Sequence, residues 1–134
     1  MKNKIWISRW LIGSVIFFNL QAALMLLVWP QAYAGAFGVP GNSGALLVRG
    51  IGVLFVMWNI PYLFALADPV LNRVSLVEAL LMQTIGLVGE VLMLAFGGAY
   101  PQAVNTAVGR FILFDSAGLI LLACAFWITY HAHA

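Results

Sequence analysis

Apolar residues run almost without interruption along four stretches of this chain, about Arg9 to Trp29, Ala45 to Leu66, Val74 to Phe96 and Val104 to Tyr130. Each can cross an apolar layer of about 30 Å, which takes roughly 20 helical residues. Polar and turn-forming positions gather between them, in Pro30 to Gly44, Ala67 to Arg73 and Gly97 to Ala103. Connections this short predict antiparallel neighbours. The expected fold is all-α: a single membrane domain over residues 1–134, a four-transmembrane-helix up-down bundle.

Composition agrees. The chain is 64% hydrophobic and 7% charged with a mean hydropathy of +1.04, whereas soluble domains are about 25% charged. Basic residues then set an orientation. Lys2, Lys4, Arg9 and Arg73 fall on one side of this layout and the other two connections contain none, so that side is expected to be cytoplasmic, with both termini inside, in a plasma (inner) membrane. Trp6, Trp10, Trp127 and Tyr130 would mark the inner interface, and Trp29, Tyr33 and Tyr100 the outer one. The net charge of +2 and pI near 9.0 follow from this topology and call for no nucleic-acid partner. The first stretch resembles a secretory signal with a small-residue site at Ala32-Tyr33-Ala34. Its apolar run exceeds the roughly 7 to 15 residues of such signals and holds Asn19 and Gln21, so retention is expected.

Polar residues inside the spans are the candidates for function, because a charge near the bilayer centre costs about 2.5 to 3.5 kcal/mol on insertion scales. Four stand out: Arg49, Glu90, Arg110 and Asp115. At 1.5 Å per residue, Arg49, Glu90 and Arg110 lie about 6 to 10 Å below the outer ends of their helices, with Asp115 a turn deeper. Arg110 and Asp115 are about 140° apart around one axis and must look toward different neighbours. Asn19 falls near the midplane and joins the set as a hydrogen-bonding or ligand group. Arg49 by itself can snorkel, its stem in lipid and its head at the headgroups, and for the quartet two readings are open. The quartet can be an ion-pair lock between helices, or its guanidiniums can hold an anionic or carbonyl-bearing head group in a cavity. Glu90 and Asp115 are also candidates for titration, with desolvation and a neighbouring arginine acting in opposite senses.

On the third span, Ala79, Gln83, Gly86 and Glu90 recur at i, i+4, i+7 and i+11, a small-and-polar stripe expected to face the bundle. Asn59 comes out at the depth of Gln83, predicting an Asn59 to Gln83 hydrogen bond as a secondary polar rung. Pro61 leaves the Met57 carbonyl without its helical donor, which Asn59 or a water is expected to satisfy. Ser75 to Glu78 fits a capping box at the start of that span. Gly109, Ser116 and Ala123 make a small-residue seam on the last one.

Enzymatic chemistry finds little footing. His131 and His133 lie beyond the last span, so no catalytic residue, cofactor or metal site is expected. Cys124, the single cysteine, reads as a small apolar filler deep in the last span. Gly35 to Gly44 is Gly-rich but matches no phosphate-cradling pattern and reads as a turn-forming connection able to fold over the bundle.

Trp29-Pro30 closing the first span, Val48-Arg49-Gly50-Ile51-Gly52 opening the second and Gly109-Arg110-Phe111 opening the fourth resemble the small DoxX-like four-helix membrane proteins. The resemblance implies a small subunit near quinone chemistry, at most a non-catalytic part of a membrane oxidoreductase, and carries no catalytic residues over. The expected function is thus an accessory or assembly subunit in the lipid bilayer, with an outer-half polar cluster taking an amphiphile such as a quinone or lipid, within a larger membrane complex or a homo-oligomer. The alternative is a small proton-coupled transporter or carrier using Glu90 and Asp115.

Overall fold

A computed structural model describes residues 2–131. Five helices follow one another: α1 (Lys2–Val28), α2 (Pro30–Ala36), α3 (Asn42–Ala67), α4 (Arg73–Phe96) and α5 (Gln102–Tyr130). No strand occurs among the described residues. Four of the helices, all but α2, are long and apolar enough to cross a membrane. Large apolar side chains cover their outward faces, Trp10, Leu46, Val74, Ile85, Phe96 and Leu113 among them, as expected where lipid replaces water.

The long helices close a ring in which α1 packs on α3 and α5, and α4 on α3 and α5. Its apolar centre is one cluster drawn from all four, with Ile12, Tyr62, Leu76 and Leu122 among its members. Small residues allow the closest approaches. A Cβ on Gly52 of α3 would lie 2.9 Å from Leu27 Cγ and 3.1 Å from the Ala23 carbonyl oxygen of α1. At one end of the ring the Ser8 hydroxyl donates to the Ala125 carbonyl at 3.2 Å, and the Arg9 guanidinium donates to the Ala67 carbonyl.

The first connection holds α2, which apolar periodicity did not resolve. Pro30 opens it, as suits a residue with no N–H to leave unsatisfied. Buried Ala34 then seats it against Leu26 and Val48. The turn that follows needs its glycines: Gly38 and Gly41 have φ of 73° and 94°, values that a side chain disfavours.

Three local expectations are corrected. α4 begins at Arg73 with Asn72 as its N-cap and no side-chain cap, so Ser75 and Glu78 already lie inside the helix and form no capping box. The Asn72 amide instead donates to the Phe64 carbonyl at 2.8 Å, tying the connection back to α3. On α5 the buried face carries Gly118, Leu122, Ala125 and Thr129; Gly109 and Ala123 are exposed, so the proposed seam is not the packing face. Cys124 is exposed on the side of α5 and fills no interior space.

Candidate functional site

The stripe on α4 does face inward. Ala79 and Gln83 are buried, and Gly86 and Glu90 are half-buried. Gln83 is the hub of a three-helix network. Its Oε1 accepts the Tyr62 hydroxyl of α3 at 2.7 Å, and its Nε2 donates to Asp115 Oδ1 of α5 at 2.9 Å. Tyr62 also reaches the Ala79 carbonyl at 3.2 Å. Two glycines leave room for this arrangement: a Cβ on Gly86 would stand 2.8 Å from Asp115 Oδ2, and one on Gly118 would stand 2.8 Å from Gln83 Nε2.

The expected rung therefore has a different partner. Tyr62, one turn beyond Asn59 on α3, takes Gln83, while the Asn59 amide donates to the Phe55 carbonyl of its own helix at 2.7 Å. That acceptor is also not the Met57 carbonyl freed by Pro61. The longer tyrosine side chain spans the gap to α4, which the shorter Asn59 amide does not.

The ion-pair lock is corrected as well. No salt bridge occurs among the described residues. Arg49 and Arg110 are exposed on the outside of the ring, and Asp115 bonds Gln83 in place of Asn19 or an arginine. The neighbours Val48 and Phe111 look inward, and one residue of helix turns the next side chain by about 100°. Position along a helix fixes only one of the two coordinates of a helical residue, and rotation about the axis is the other.

A partly open cavity of about 610 Å³ lies between the helices, within the roughly 300 to 1,000 Å³ of small-molecule sites. Its polar lining is Asn19, Asn59, Tyr62, Gln83, Glu90 and Asp115. No arginine, lysine or histidine lines it. Phe37 and Val39, from the connection after α2, cover one part of it. A file of rings forms another wall: Phe37 stacks on Phe111 at 5.9 Å, Phe111 meets Phe55 at 6.1 Å, and Phe55 meets Trp58 at 5.5 Å. Two buried atoms of the lining have no hydrogen-bond partner, Asn59 Oδ1 and Glu90 Oε2. Thus Asn19, Glu90 and Asp115 are brought together with Asn59 and Gln83, and the arginines are not.

Beyond the ring, His131 packs at a tilt against Trp127 at the end of α5, with ring centroids 4.1 Å apart; His133 lies outside the described residues. No group of three or more metal-ligating side chains occurs among the described residues. Comparison with family models, with curated proteins and with solved structures finds no match for this chain.

Proposed function

We propose that this chain is a multi-pass protein of a plasma membrane, an up-down bundle with both termini cytoplasmic, serving as an accessory subunit that holds an amphiphile within the membrane. The cavity carries this reading: about 610 Å³ walled by aromatic rings, with six polar side chains converging on it, the combination of apolar walls and few placed polar groups that marks ligand sites. The contacts of Ser8 with Ala125 and of Arg9 with Ala67 support the topology, because they bring the start of α1 to the ends of α5 and α3.

A second reading, a small proton-coupled carrier, is favoured by one observation: Glu90 and Asp115 both line the cavity, from different helices. The quinone association implied by the DoxX-like resemblance finds its donors only in the Asn19 amide and the Trp58 indole, since the fully buried unpartnered atoms are acceptors, as quinone carbonyls are.

Gly89 provides the test. It lines the cavity, and a Cβ there meets nothing within 4 Å, so Gly89→Leu starts from open space and takes up cavity volume. Mass spectrometry of protein purified in mild detergent should find an amphiphile retained by the wild type and lost from Gly89→Leu at unchanged melting temperature. Equal retention by both would rule out the cavity as the site. Loss of solute or proton flux in Glu90→Gln proteoliposomes would select the carrier reading.

A further inference from the structure

We propose that the cavity selects a lipophilic ammonium ion, a protonated amine carried on an apolar or aryl body. This inference rests on the cavity being a ligand site and assigns the chemistry of the head group.

Hydrogen-bond accounting leads to it. The cavity-lining donors that the network uses are spent within the protein: Tyr62 on Gln83, the Gln83 amide on Asp115 and the Asn59 amide on Phe55. The Asn59 bond also fixes which end of its amide is the oxygen, since the reverse placement would set oxygen against the Phe55 carbonyl. What remains fully buried without a partner is Asn59 Oδ1 and Glu90 Oε2. Both are acceptors, and Asn59 is only 1% exposed. Asn19 adds a neutral amide from α1.

A buried acceptor left unsatisfied costs free energy that an occupant can recover by donating to it. An ammonium group brings two or three N–H donors and a positive charge, matched here by two carboxylates and opposed by no cationic side chain in the lining. Glu90 is the stronger candidate for direct contact, because one Asp115 oxygen is already engaged by Gln83. Phe55, Trp58 and Phe111 complete the complementarity. Their faces attract cations and their bodies accept an apolar chain. A carboxylate or phosphate head group would instead meet two carboxylates with no cation to offset them.

The experiment compares three probes on one skeleton, 4-phenylbutylammonium, 4-phenylbutanol and 4-phenylbutyrate, titrated at pH 7 into the full chain in nanodiscs with affinity read by calorimetry. The ammonium should bind at least tenfold tighter than the alcohol, and the carboxylate weakest of all. Glu90→Gln should lower ammonium affinity at least tenfold while leaving the alcohol within about twofold, and Gly89→Leu should remove binding of both. Should Glu90→Gln not fold, the ranking of the three probes on the wild type decides alone. Alcohol or carboxylate binding as tight as the ammonium overturns the cation assignment and leaves the cavity reading standing. Binding of no probe overturns the assignment; if Gly89→Leu also retains co-purified amphiphile, the cavity reading falls separately.

Discussion

Gln83 on α4 stands between two other helices, accepting the Tyr62 hydroxyl at 2.7 Å and donating to Asp115 Oδ1 at 2.9 Å. This one side chain uses both ends of its amide to join α3, α4 and α5 at the floor of the cavity. Its neighbours on α4 make room for it: Ala79 four residues before and Gly86 three after are too small to hold the helices apart.

Tyr62→Phe should lower stability by about 0.6 to 1.7 kcal/mol, the range for single hydrogen bonds between membrane helices. Gln83→Leu should cost more, about 1 to 3 kcal/mol, because it leaves Tyr62 and Asp115 with unmade bonds inside the bundle. Unfolding of the purified variants in mixed micelles measures both, and a Gln83→Leu protein as stable as Tyr62→Phe would remove Gln83 from the centre of the network.

Two glycines should respond in opposite directions. Gly52→Val meets Leu27 and the Ala23 backbone at 2.9 to 3.1 Å and should destabilise by about 1 to 3 kcal/mol as overpacking does. Gly89→Ala enters open space on a helix and should stabilise by about 0.5 to 1 kcal/mol. Melting temperatures of the pair in one detergent check the contrast.

Arg49→Gln and Arg110→Gln should each change stability by less than about 1 kcal/mol. Both side chains are exposed and make no salt bridge, so the 3 to 5 kcal/mol that follows the breaking of a buried ion pair does not apply. A loss in that higher range on thermal unfolding would restore the lock between helices.

Asp68, in the connection between α3 and α4, should give the protein an acid-sensitive joint. Backbone N–H groups of Leu71 and Val70 donate to its carboxylate, both at 2.9 Å, and hold its pKa below the ordinary value of 3.8, with Arg9 adding a smaller pull in the same direction. A depressed folded-state pKa means stability that is present above the unfolded pKa and lost as pH falls through the folded one. Wild type should therefore exceed Asp68→Asn in stability at pH 6 and approach it below about pH 3. Chemical unfolding from pH 6 to pH 2.5 reads the difference, and a constant gap across that range would show that the carboxylate charge contributes nothing.

Cysteine substitutions at Gly38 and Tyr100 should label from one side of the membrane and at Arg73 from the other. Labelling of all three from one side would overturn the up-down topology.

The sequence by itself determined that the chain is helical and that four of its segments can cross a membrane, because a 30 Å apolar layer admits little else for uninterrupted apolar runs of this length. It also determined the inward face of α4, since Ala79, Gln83, Gly86 and Glu90 repeat at helical spacing against an apolar background. Spacing along each helix was legible because the rise of 1.5 Å per residue is fixed by the backbone. Rotation about each axis was not legible for helices whose polar residues are few, as on α3 and α5. Only packing against neighbours decided that Val48 and Phe111 turn inward while Arg49 and Arg110 turn out, and that Tyr62 reaches Gln83 before Asn59 can. Tertiary structure also decided the cavity itself, because a space between helices belongs to the distances separating them, and no single helix sequence encodes those.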